Sequence, residues 1–108
     1  MVQAQPQPPL GEIVETIRRE LAPRRVTLFG SRATGVARPD SDVDLLIEME
    51  TTLCPAERMR GVSRLFPARR WSLDALVFTP EELALARRSP GSVVARMERE
   101  GRVLYARP

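Results

Sequence analysis

Asp42 and Asp44 stand two residues apart at the head of an apolar run, Leu45-Leu46-Ile47. In an extended strand, residues i and i+2 project from the same face, so two carboxylates would sit side by side there. Like charges so placed repel unless a cation lies between them, and hard oxygen donors suit Mg²⁺ or Mn²⁺. The same residues also fit a plain polar turn, Pro39-Asp40-Ser41-Asp42, with Asx-type hydrogen bonds and a solvated Asp44. A third carboxylate, Asp74, is the one charge in LDALVF, a run that otherwise reads as a buried strand. Burying a lone carboxylate is costly, which points to a paired or metal-bound group. A wet strand end, or an ion pair with Arg69 or Arg70, would account for it equally well.

Upstream, the short apolar run Val26-Thr27-Leu28-Phe29 is cut off by Gly30, as a buried strand ending at a turn would be. Gly30 lets the backbone turn tightly and approach a ligand. Ser31 is a good helix N-cap, and Arg32-Ala33-Thr34 could form a helical turn behind it, whose unpaired N–H groups would suit a phosphate. An ordinary capped helix has the same signature.

Composition narrows the chemistry. The chain has no histidine, so His-based catalysis and His-ligated zinc are excluded. Cys54 is the single cysteine, which excludes an intramolecular disulfide and a cysteine metal cluster. Any metal site must therefore be built from carboxylates. All 17 basic residues are arginine and the net charge is only +3, a mild attraction for phosphates or an acidic partner and not the signature of a protein that coats nucleic acid. No run approaches the ~20 apolar residues that span a bilayer, and the first ten residues do not read as a secretion signal, so a cytoplasmic protein is expected.

These residues must be positioned by a single small domain. Residues 1–9, rich in Gln and Pro, are expected to be a disordered leader, and 10–108 the folded unit. Apolar residues from Leu10 to Leu21 recur at helical spacing and give a helix over about 11–22, ended by Pro23. Pro55 opens a second helix that Pro67 stops. Trp71 to Phe78 is the third strand, with Trp71 at the edge of the core or stacked on a base. Thr79-Pro80-Glu81-Glu82 is a capping box, and Ser89-Pro90 signals a last helix to about Glu100, followed by an extended tail at Val103-Leu104-Tyr105. The fold class is α/β: a small mixed three-stranded sheet with flanking helices. For Gly30 to meet Asp42 and Asp44, the first two strands must run antiparallel. The third follows a crossover helix and lies parallel to the second, bringing Asp74 beside the aspartate pair.

Gly30-Ser31, ten intervening residues and Asp42-Val43-Asp44, within GSRATGVARPDSDVDLLI, resemble the signature of the polymerase-beta-like nucleotidyltransferase superfamily. The string is similar to the minimal nucleotidyltransferase (MNT) family, MntA-type antitoxins paired with a HEPN-domain toxin. The resemblance spans roughly Leu10 to Tyr105. It implies a polymerase-beta palm-like fold and an enzyme that moves a nucleotide, AMP from ATP, onto a hydroxyl, with a tyrosine of the HEPN partner as acceptor. By the same resemblance Gly30 and Ser31 would hold the β- and γ-phosphates, with Arg32 and Arg38 as further phosphate contacts. Asp42 and Asp44 would bind Mg²⁺ (or Mn²⁺), and Asp74 would ligate a second ion and help deprotonate the acceptor. A non-catalytic antitoxin that neutralises its partner by docking is the competing reading. Crowded like charges favour the enzyme, since docking alone gives no reason to keep them. RNA binding is disfavoured, because no additional basic or aromatic domain is present. Base preference and oligomeric state are not legible.

Overall fold

The computed structural model describes residues 8–38 and 41–108. Residues 1–7 of the expected leader, and Pro39 and Asp40 of the expected polar turn, lie outside them. Pro8 and Pro9, assigned to the leader, are tied into the first helix: their carbonyls accept from Leu10 N–H and Ile13 N–H, both at 2.9 Å. That helix, α1 (Leu10–Leu21), buries Ile13 and Ile17, one turn apart, and carries Glu12 in its first turn and Arg18 and Arg19 in its last, as its dipole favours. Ala22 then turns left-handed at φ 47°, its N–H closing on Arg18 O, and Pro23 prevents continuation.

The remaining elements are β1 (Arg25–Phe29), α2 (Ser31–Thr34), β2 (Val43–Glu48), α3 (Pro55–Ser63), β3 (Leu73–Phe78), α4 (Pro80–Ala86), α5 (Val93–Glu100) and β4 (Arg102–Ala106). The sheet order is β3-β2-β1-β4. As expected, β1 and β2 are antiparallel and β2 and β3 parallel. The sheet has four strands, not three: the tail expected to be merely extended is β4, paired antiparallel with β1.

Alternation along the strands gives the sheet two apolar faces. Val26, Leu28, Val43, Leu45, Ile47, Ala75 and Val77 pack with Ile13 and Ile17 of α1 and Val62 of α3. On the other face Phe29, Leu46, Leu76 and Phe78 pack with Leu83 of α4 and Val94 and Met97 of α5. No helix among the described residues is long and apolar enough to cross a membrane.

The helix ends explain where boundaries differ from expectation. The capping box is present as read, with Glu82 N–H on Thr79 Oγ1 and Thr79 N–H on Glu82 Oε1. Arg58, its side chain nearly buried, adds a 2.7 Å pair to that carboxylate and so joins α3 to α4. The last helix starts at Val93, capped by Ser92, and not at Ser89-Pro90: Ser92 Oγ accepts from Ala95 N–H and donates to Ala86 O. Past Ser63, α3 relaxes into turns closed by Leu65 N–H on Val62 O and Phe66 N–H on Ser63 O. Trp71 precedes β3 and packs tilted on Phe66, centroids 5.5 Å apart.

One residue separates α5 from β4. A Cβ on Gly101 would lie 2.5 Å from Met97 O, 2.7 Å from Thr27 Cγ2 and 3.0 Å from Leu28 O, so the chain can enter β4 only because that atom is missing. Gly101→Ala is expected to destabilise the fold by about 1–3 kcal/mol, seen as a melting temperature lower by roughly 4–8 °C per kcal/mol. An unchanged thermal midpoint would mean that β4 contributes little.

Candidate functional site

The chemistry gathers where β1 ends and β2 and β3 begin. Gly30 leaves β1 at φ 73°, ψ −159°, a conformation open essentially to glycine. Its carbonyl accepts from Ala33 N–H (3.1 Å) and Thr34 N–H (3.3 Å), which winds α2. Gly30 itself is the N-cap and Ser31 the first helical residue, with no side-chain cap bond, so the expectation of a Ser31 cap is corrected. At four residues α2 has a small dipole. What the turn offers an anion is local: backbone N–H groups and the Ser31 hydroxyl.

Asp44 lies against this turn. A Cβ on Gly30 would collide with Asp44 Oδ2 and sit 3.1 Å from its Cγ, so the absence of a side chain at residue 30 makes room for the carboxylate. In the ladders Asp44 is paired with Phe29 on one side and with Asp74 on the other. Residues opposite one another share a face, so Asp44 and Asp74 stand on neighbouring strands, roughly 4.8 Å apart at the backbone, on the α4/α5 side of the sheet. Val43 N–H donates to Ser72 O at 2.8 Å and fixes that register at the strand mouths. Asp42 precedes β2 and is exposed.

Asp74 is exposed, which overturns the argument from its burial. It opens an edge strand, and it makes no ion pair with Arg69 or Arg70: Arg69 Nη1 donates instead to Ser63 O and Phe66 O. Arg32, expected to contact a phosphate, is engaged by the loop that follows α2. Its Nη2 and Nε donate to Ser41 O at 2.8 and 3.2 Å, and Nη2 reaches Arg38 O at 3.4 Å. The guanidinium thus holds the loop that delivers Asp42, a function the sequence did not signal, because backbone carbonyl acceptors leave no trace in side-chain spacing.

Burial, then the charges of Asp74 and Asp42, push the Asp44 carboxyl up to about 6, against a smaller opposing effect of Arg32. A cation among these groups would relieve that crowding, so the donor set fits a hard divalent ion. No three acidic side chains among the described residues converge tightly enough to enclose an ion. The backbone register, and not a preformed cage, is what gathers them. Asp42 and Asp74 are exposed and Asp44 is half-buried, so the carboxylates stand on an open shelf.

Residues 10–89 match the nucleotidyltransferase domain family. The chain belongs to it. No curated protein matches the sequence. Among solved structures, a Sulfolobus solfataricus protein to which nucleotidyltransferase activity is ascribed is 26% identical, with a TM-score of 0.63 over 91% of this chain and 78% of that one. A toxin–antitoxin crystallised with AMP-PNP is 22% identical, TM-score 0.67, over 93% and 75%. A substituted form of the toxin–antitoxin MntA–HpeT is 21% identical, TM-score 0.65, over 94% and 75%. These two are similar to this chain in fold.

Two outcomes follow for this nucleotidyltransferase domain. The Asp44 proton is held more tightly in the folded than in the unfolded chain, so the stability it contributes is present below about pH 4 and lost as pH rises through about 6. In EDTA, Asp44→Asn should match the parent near pH 4 and become more stable at pH 8, by about 1 kcal/mol once the shift is discounted for solvent screening. Melting curves across pH test this, and a difference that does not grow with pH would refute the crowding. Gly30→Ala must displace the Asp44 carboxylate and adopt a strained backbone, at a cost of about 1–3 kcal/mol in calorimetry.

Proposed function

We propose that this chain is a metal-dependent nucleotidyltransferase that moves AMP from ATP onto a hydroxyl of a partner protein, acting as the antitoxin of a toxin–antitoxin pair. One observation carries it: Asp44 in register with Asp74 on a parallel strand and against the Gly30 turn on the other side. Family membership, and the likeness of the fold to a toxin–antitoxin crystallised with AMP-PNP, support the nucleotide and the setting. The acceptor is proposed to be a tyrosine of a HEPN-domain toxin.

In this reading the Gly30–Ser31 turn binds the β- and γ-phosphates through backbone N–H groups and the Ser31 hydroxyl. Asp42, Asp44 and Asp74 would hold Mg²⁺ or Mn²⁺, which supplies the positive charge a triphosphate needs as it reacts. Arg32 is a positioning residue that holds Asp42 at the strand mouth through Ser41 O. Asp74, exposed on the edge strand, accepts the proton of the incoming hydroxyl. The hydroxyl oxygen bonds to the α-phosphorus as the bond to the β-phosphate oxygen breaks, releasing pyrophosphate.

Intact-mass analysis of the neighbouring gene's product, incubated with this protein, ATP and Mg²⁺, should show an increment of one or more AMP units. Asp74→Asn should abolish the increment and retain Mg-ATP binding, while Asp42→Asn/Asp44→Asn should lose both. Full transfer by that double variant would refute the assignment. A tight complex with no mass change would make the protein a docking antitoxin.

A further inference from the structure

The outer edge of β3 is closed at one end and open at the other. Val43 N–H donates to Ser72 O and Met49 N–H to Phe78 O, so even-numbered residues turn their backbone groups toward β2, and Leu73, Ala75 and Val77 turn theirs outward. Arg58 Nη1 occupies the Val77 carbonyl at 3.2 Å and so blocks the far end of that edge. Toward Asp74 no such plug stands among the described residues. There a cleft of about 210 Å³ between α3 and the strand is lined by Met59, Arg60, Ser63, Leu73 and Ala75. It shares Leu73 with a hollow of about 540 Å³ over Pro67 and residues 69–73, which ends at Leu73, the residue before Asp74.

This flank has one sign of charge. From Met59 to Leu73 the chain carries four arginines and no carboxylate, although the whole chain is only +3, so the remainder is slightly acidic. Arg60, Arg64 and Arg70 are exposed and make no ion pair or side-chain hydrogen bond among the described residues. The flank lies on the α3 face of the sheet beside the outer edge of β3, whereas Asp74 projects from the α4/α5 face; a segment seated in it reaches Asp74 by crossing that edge, on the side of the sheet away from the Gly30 turn at the end of β1.

We infer that this flank docks the acceptor: an acidic segment of a polypeptide, with an apolar side chain in the Met59–Leu73–Ala75 cleft and its carboxylates on Arg60, Arg64 and Arg70, presenting a hydroxyl to Asp74. The inference rests on the transfer reading above and names the partner's chemistry. The apolar lining of the cleft, Met59, Leu73 and Ala75, is aliphatic and offers no aromatic face on which a nucleobase would stack, which favours a polypeptide, and charge complementarity selects an acidic segment.

The single tryptophan, Trp71, lines the hollow and reports on it. Two synthetic peptides of equal length, each with one tyrosine flanked by Glu and Leu or by Lys and Leu, are titrated by calorimetry and by Trp71 fluorescence excited where tyrosine does not absorb. The acidic peptide should bind about tenfold more tightly, more weakly as salt rises, and should perturb Trp71. Arg60→Glu/Arg70→Glu should remove that advantage, whereas Arg88→Glu/Arg99→Glu, the same charge change at other exposed arginines, should keep it. Melting curves check both variants, and Arg70→Gln alone repeats the test if the first pair melts early. Absence of binding, equal binding of the two peptides, indifference to Arg60 and Arg70, or tighter binding of a single-stranded RNA would each overturn the inference. Docking without AMP transfer would count against the enzymatic reading and leave this surface standing. Transfer to the Lys-flanked peptide as fast as to the acidic one would do the reverse.

Discussion

Three carboxylates are brought to one end of a sheet by backbone hydrogen bonds that owe nothing to the carboxylates themselves. The ladder between β2 and β3 sets Asp44 opposite Asp74, and the missing side chain at Gly30 lets Asp44 lie against the end of β1. Left alone, these charges oppose one another, which is why the Asp44 carboxyl is pushed up to about 6. The strain is local because the strands continue from it into two apolar faces. Burial of Val43, Leu45 and Ile47 on one side and Leu46 on the other holds β2 in register whether or not the charges approve. A stable core thus imposes an unfavourable arrangement that a cation would relieve.

The elements around the shelf divide the work. On the β1 side, α2 and Gly35 (φ 84°) make a tight turn closed by N–H groups of Ala33 and Thr34 on Gly30 O and of Gly35 and Val36 on Ser31 O. Arg32 closes the following loop onto itself through Ser41 O, so that Asp42 arrives at β2 from a tethered start. On the β3 side, the strand is an edge, and Arg58 spends its guanidinium on Val77 O, Leu53 O and Glu82, sealing the far half of that edge. Between these two flanks the carboxylates stay open to solvent on the α4/α5 face, just beyond the small apolar cluster of Phe29, Leu46, Leu76, Leu83 and Met97. A site so shallow suits a reaction in which a second macromolecule supplies the other wall.

Much of this was legible because it is local. Helical spacing around Ile13 and Ile17, the Thr79 capping box and the end of the first strand before Gly30 each depend on a few neighbouring residues, and each is present. The misreadings are non-local. Arg102–Ala106 became a fourth strand because it meets β1, far back in the chain, across a gap that only Gly101 can enter. Ser89-Pro90 reads as the start of the last helix, but Ser92 is its cap, with Oγ bonded to Ala95 N–H and to Ala86 O. The apolar neighbours of Asp74 suggested burial, yet an edge strand leaves its first residues wet.

By itself the sequence determined which atoms could react: carboxylates and no imidazole, one glycine turn, and a spacing that puts Asp42 and Asp44 on one face of a strand. Those are properties of residue type and of the two-residue repeat of an extended chain. Only the tertiary structure decided that Asp74 stands in register with Asp44, that Arg32 serves the loop carbonyls, and that a basic flank borders the outer edge of β3. Each of these depends on which strand lies next to which, and that is fixed by the burial of two sheet faces at once, a constraint that no short window of residues contains.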